Sequence, residues 1–185
     1  MKKIVSIVSF MLVVIFMSGC GAAKLTPSQE ADIKSKSPMY TQVSMWTEKG
    51  HIIATNYKKG VFIPVNSKVI ISEVSSNAIV MIFNDQEIVI KNIEGYTKVN
   101  ISQLLARSFS KTKVDLSKFT KTEQDNIKKG MVKIGMSKEA VVVARGYPPA
   151  HRTISLKENS WRYWTNRFNT NVYEFKDNKV SKIIR

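Results

Sequence analysis

One cysteine, five prolines and eight glycines in 185 residues leave little to cross-link this chain or to break it into pieces. A lone cysteine, Cys20, excludes an internal disulfide, so the fold rests on packing even in an oxidising compartment. Acidic residues are also scarce: 14 Asp and Glu stand against 29 Lys and Arg, a formal charge of +15. No apolar stretch reaches the ~20 helical residues needed to span a bilayer. The longest, Ile4 to Met17, is interrupted only by Ser6 and Ser9. Catalytic signatures are missing too, with no HExxH, GxSxG, phosphate loop or paired-carboxylate arrangement. The two histidines, His51 and His151, lie far apart in sequence with no second ligand at metal spacing. The expectation is therefore a non-enzyme with no cofactor and no metal. What is present is ordinary for a globular protein, 43% apolar and 23% charged, which excludes a disordered chain.

The N-terminal order is Met1-Lys2-Lys3, the apolar run, then the small residues Ser18 and Gly19. That is the order of an export signal. Met17-Ser18-Gly19-Cys20 resembles the lipobox of bacterial lipoproteins. The resemblance implies that residues 1–19 are removed and that Cys20 is acylated on sulfur to become the mature N-terminus. An uncleaved anchor helix with an incidental cysteine is the alternative. No aspartate follows the cysteine, since residue 21 is Gly21. In lipoproteins of Gram-negative cells this implies the outer membrane, facing the periplasm; a Gram-positive source implies the plasma membrane. Cleavage removes Lys2 and Lys3, yet the mature chain stays strongly basic. Such a surface favours anionic lipid, lipopolysaccharide, cell-wall polymer or an acidic protein face, and export argues against nucleic acid. A solvated lysine-rich surface without a specific partner is the simpler reading.

Residues 20–38 read as a lipidated tether, polar and broken by Pro27, with at most a helical turn over residues 29–36. Fully extended, such a segment reaches ~60 Å. Residues 39–96 form a β-rich block. The runs 60–65, 68–74, 78–83 and 87–90 are rich in branched residues, and Asn66-Ser67, Ser75-Ser76-Asn77 and Asn84-Asp85 divide them. Pro64 has no amide hydrogen and places its strand at an edge or a bulge. In outline the block resembles bacterial SH3-like domains, a generic meander being the alternative. Residues 97–116 read as a helical linker: Ile101, Leu104, Leu105 and Phe109 keep helical spacing behind Asn100 as a cap. A second helix spans 122–129 and ends at Gly130.

The stretch Gly135-Met136-Ser137 to Gly146-Tyr147-Pro148 has its own punctuation. Ser137 caps a helix, Glu139 sits in its first turn, and Gly146 with Pro148-Pro149 ends it. Then come Trp161-Arg162-Tyr163 and a hairpin from Val172-Tyr173-Glu174-Phe175 through Asp177-Asn178 to Val180. This pattern is similar to the SmpA/OmlA (BamE-like) family. Gly135, Met136, Ser137, Val141, Gly146, Pro148, Trp161, Tyr163, Phe175 and Val180 occupy the family's places. Ala144-Arg145 stands where the family has a leucine pair. The resemblance covers residues 130–185 and implies two helices on one face of a three-stranded antiparallel sheet. The expected fold class is thus α+β, a β-rich block followed by a BamE-like domain at 117–185 that carries its own caps and hairpin and should fold alone.

Alternation in the strand places Trp161, Tyr163 and Phe175 in the core and Trp164 on the opposite side. Trp164, Arg167 and Phe168 are therefore the candidate partner or lipid surface. The functional expectation is a membrane-anchored, non-catalytic scaffold or assembly factor, with an envelope protein complex as partner and outer-membrane protein assembly as its setting. A cell-wall or glycan-binding SH3-like lipoprotein and a periplasmic protein inhibitor are the alternatives.

Overall fold

A computed structural model describes residues 23–185. The lipobox and Cys20 lie outside the described residues. The fold is mixed α+β, with two hydrophobic cores side by side.

The first core forms under a six-stranded sheet. Its centre is a meander of β5 (Lys68–Val74), β6 (Ala78–Phe83) and β7 (Gln86–Lys91). Alternate residues point inward, so Val69, Ile71, Ile79, Met81, Ile88 and Ile90 are all buried. The β6–β7 turn uses Asn84 and Asp85, both at positive φ (50° and 59°), the geometry of a two-residue hairpin. Short strands from distant parts of the chain widen this meander. β1 (Pro38–Thr41) adds to β5, β8 (Phe109–Ser110) adds to β1, and β3 (His51–Ile53) runs parallel to β7 on the other side. Two more strands, β2 (Met45–Thr47) and β4 (Val61–Ile63), pair as a separate ribbon. Pro64 directly follows β4, and its carbonyl accepts hydrogen bonds from Thr41 Oγ1 (2.8 Å) and Ser67 Oγ (2.7 Å).

The stretch at 97–116 does more than connect. After the short helix α2 (Glu94–Thr97), helix α3 (Ile101–Ser108) sets Ile101, Leu104 and Leu105 into the first core, and Phe109 follows them. Asn100 caps α3 in a reciprocal arrangement with Gln103. The polar N-terminal stretch is ordered as well. Helix α1 (Pro27–Lys34) starts at Thr26 with a capping box to Gln29, and Ala23, Leu25 and Ile33 pack on the first core. The Gln29 side chain donates to Ser102 O (3.0 Å) and accepts from Ser102 Oγ (2.7 Å). Three modest apolar contacts, this two-way side-chain link and an ion pair from Lys111 to Asp32 hold a segment whose composition reads as a tether.

The second core lies between helices α4 (Lys121–Lys128) and α5 (Lys138–Arg145) and a three-stranded antiparallel sheet. That sheet has the order β11 (Lys179–Ile184), β10 (Thr170–Lys176), β9 (Ser160–Trp164). Trp161, Tyr163, Tyr173, Phe175 and Val180 face Ile127, Ala140, Val141 and Ala144. The buried polar tips are paired: Trp161 Nε1 donates to Glu158 O (3.0 Å) and Tyr163 OH to Gly146 O (2.9 Å). Ser137 Oγ accepts from Ala140 N, and Glu123 of α4 accepts from Ser137 N at 2.7 Å, so one carboxylate links both helix starts.

The two cores share a seam. Val65 of the β-block belongs to the second core, while Val142 packs against both. Ser44 N donates to Val143 O (2.9 Å), and Asn66 exchanges two hydrogen bonds with the backbone of Val114 (2.9 and 2.7 Å). Gly130, at φ 59°, seats against the ribbon so closely that a Cβ there would come within 2.6 Å of both Phe62 and Trp46. Only glycine fits.

Candidate partner surface and the buried arginine behind it

Strand alternation holds in β9: Trp161 and Tyr163 are buried, Ser160 and Arg162 are exposed, and Trp164 is half-buried at the strand end. The chain then turns. Thr165 N donates to Asn169 O (2.9 Å), and Asn166 Oδ1 accepts from the amides of Phe168 (2.8 Å) and Asn169 (2.9 Å). An asparagine that collects two following amides pins the loop and throws its tip outward. Phe168 is 81% exposed, and the Arg167 guanidinium lies 5.7 Å from its ring centre.

Below the tip, the outer face of the three-stranded sheet carries an open groove of about 780 Å³. Arg162, Phe168, Val172, Glu174, Ile184 and Arg185 are among its lining residues. The three residues singled out by sequence thus divide. Phe168 borders the groove, Arg167 covers Phe168, and Trp164 lies beside the groove, paired across the strands with Thr170.

Trp164 also does something the sequence pattern does not announce. Its carbonyl accepts from Arg145 Nη2 at 3.3 Å. Arg145 is completely buried, with Trp46 of β2 4.7 Å and Tyr163 of β9 5.4 Å from its guanidinium carbon. Arg145 Nε and Nη1, and Oδ1 of nearby Asn56, have no hydrogen-bond partner among the described residues. The aromatic faces supply part of what is missing, since a desolvated cation gains ~2 kcal/mol or more against a ring. Burial still pushes the Arg145 pKa down, an effect the neighbouring Tyr173 and Tyr163 oppose. Burial likewise pushes the Tyr163 hydroxyl well above its ordinary value. Lys58, 5.9 Å from the Trp46 ring centre, has its pKa lowered by burial and then by Arg145 and Arg185. Asn56 Nδ2 completes the seam, donating to Ser44 O (2.9 Å) and Arg145 O (2.7 Å). The sequence did carry a sign of this. Arg145 lies one helical turn after buried Val141, on the stripe that faces the core.

Among the described residues no group of three or more His, Cys, Asp and Glu could hold a metal ion, and no helix is long and apolar enough to cross a membrane. No family model, curated protein or solved structure matches the chain.

Proposed function

We propose that this chain is a lipid-anchored, non-catalytic scaffold or assembly factor of the bacterial cell envelope, held to the membrane through Cys20 and presenting its C-terminal sheet to an envelope protein complex. The observation that carries the reading is the pinned loop at 165–169, which holds Phe168 81% exposed beside Arg167 at the rim of an open groove. Aromatic residues and arginine are the residue types enriched among interface anchors, and here they stand together at the edge of a concave surface. Support for a SmpA/OmlA (BamE-like) relationship comes from residues 130–185 and from the second core, where two helices cover an antiparallel sheet of three strands. In that setting outer-membrane protein assembly is the proposed role.

The test is site-specific photocrosslinking in cells from position 168, with position 61 as an exposed control elsewhere. Val61 is 66% exposed on β4. Capture of one envelope protein from 168 and not from 61 supports the scaffold. Equal labelling from both sites, or none from 168, removes this surface as the partner site.

A second reading, a glycan-binding module, has one observation in its favour. A pocket of about 140 Å³ on the β-block is lined by Trp46, Glu48, His51 and Tyr57. Its tryptophan is already engaged by Phe62 (ring centres 5.1 Å apart) and Arg145, leaving little face for a sugar. The scaffold reading is therefore preferred.

A further inference from the structure

The proposed anchor and the folded body are very close together. Only Gly21 and Ala22 separate Cys20 from Ala23, which already packs on the first core. That spacer reaches on the order of 10 Å at full extension. A body so tied cannot stand clear of a bilayer; one side of it must meet the headgroups.

Successive contacts trace that side from the anchor outward. The Thr26 end of α1 is joined through Gln29 to Ser102, in the first turn of α3. Just before α3 come exposed Lys98 and Tyr96, the latter 46% exposed. Tyr96 is bound to the loop ahead of β9: its carbonyl accepts from His151 N (3.1 Å), and the two rings pack with centres 4.7 Å apart at a tilt of 35°. The loop continues Arg152-Thr153-Ile154-Ser155-Leu156-Lys157. Ile154 is 86% exposed and Leu156 42%, while Arg152 and Lys157 are exposed cations on either side. Thr153 is buried, its Oγ1 accepting from Arg162 N (3.0 Å), and Ser155 N donates to Glu158 Oε1 (3.2 Å). The loop is thus held with its aliphatic side chains outward. Exposed acids on these segments are Glu30 and Glu94, against Lys24, Lys98, Arg152 and Lys157.

We infer that this face, comprising Tyr96, Lys98, Arg152, Ile154, Leu156 and Lys157, rests on an anionic phospholipid surface, and that it orients the groove-bearing sheet relative to the membrane. Aliphatic and aromatic side chains enter the headgroup layer, and the flanking cations meet lipid phosphate. The orientation rests on the lipid-anchor reading; the lipid affinity of the face does not.

The experiment uses the unacylated chain from Gly21 onward, which keeps both cores whole, in sedimentation with vesicles of phosphatidylcholine alone or mixed with phosphatidylglycerol. The parent should bind the mixed vesicles and release them with added salt. The pair Lys98→Glu with Arg152→Glu should bind at least about tenfold more weakly. Ile154→Ser with Leu156→Ser should weaken binding while leaving its salt dependence in place. The control pair Lys128→Glu with Lys129→Glu, equally exposed at the end of α4, should change binding less than about threefold. All six positions are on the surface, and thermal unfolding checks that each variant is folded. If the parent does not distinguish the two vesicles, or if both charge pairs weaken binding equally, the face is not a lipid site. Mass spectrometry of Cys20 in protein isolated from membranes decides the anchor separately. An unmodified cysteine would end the orientation argument without touching the vesicle result.

Discussion

The guanidinium carbon of Arg145, at the end of α5, lies 4.7 Å from the ring centre of Trp46, on the β2 ribbon. Nearly a hundred residues of chain separate the two, and the contact joins the β2–β4 ribbon to α5. A buried cation without a carboxylate is an expensive way to make such a joint, so its replacement is informative.

Arg145→Met should leave stability within ~1 kcal/mol of the parent or raise it, because an apolar side chain of similar length fills the space without a desolvated charge. Arg145→Ala should lose ~3 kcal/mol through the cavity. Arg145→Lys should fall below the methionine variant, since an ammonium is more strongly hydrated and cannot stack as a plane. Denaturant melts of the three variants check the order. A methionine variant as damaged as the alanine one would show that the cation itself holds the seam.

The boundary at 117 predicts from sequence a fragment that folds alone, but the structure supplies reasons for the opposite outcome. Residues 117–185 leave behind Val65 of the second core, the Trp46 face over Arg145, and the Ser44 and Asn56 bonds to α5. Isolated, the fragment should unfold broadly and bind a hydrophobic dye, whereas residues 23–185 should melt in one cooperative step. Calorimetry on both settles it.

Glu123 gives the stability a pH dependence of known sign. Burial alone would raise its carboxyl pKa, yet hydrogen bonds from Ser137 and Thr120 outweigh that and hold it below the ordinary value of 4.5. A depressed folded pKa means that the contribution is complete above ~4.5 and is lost as pH falls through the lower folded value. Glu123→Gln, which weakens the cap on α4 and the link to Ser137, should cost ~1 kcal/mol at pH 7. The difference in Tm between variant and parent should close on acidification. A gap that stays constant to pH 3 would mean that the carboxylate charge contributes nothing.

Cys20→Ala tests the anchor. Each buried methylene of an acyl chain contributes ~0.8 kcal/mol, so a multiply acylated cysteine should hold the protein to membranes against salt and carbonate washing. The alanine variant should lose its lipid and, where exported, appear in the soluble fraction. Continued behaviour as an integral protein would make the 4–17 run a true anchor.

How far the sequence could be read depended on whether a residue's partner lay nearby in the chain. The turns at Asn84-Asp85 and Asp177-Asn178, the caps Asn100 and Ser137, and the stop at Gly146 are local chemistry, and each stands where the sequence places it. Strands β1, β3 and β8 are two to four residues long, too short to show a period, and their partners lie far along the chain. Helix α1 looks polar on every side and is held by Ser102, some seventy residues away. For the candidate surface, alternation places Trp164 opposite Trp161 and Tyr163, and Phe168 stands out as a large aromatic next to Arg167 just beyond that strand. The helical stripe puts Arg145 on the core side of α5, but nothing local says that two aromatic rings from other strands enclose its cation.

The pairing of the first sheet also sets an order in time. β1 waits for β5 and β8, and β3 for β7, so the outer strands of that sheet have no partner until residues 68–110 are available. The β5–β6–β7 meander, whose contacts are local, is the part able to form first, in microseconds once its chain is free. Any route that delivers a chain N-terminus first makes this order matter. The leading segment then has nothing to pair with, and the sheet closes only once residue 110 is free.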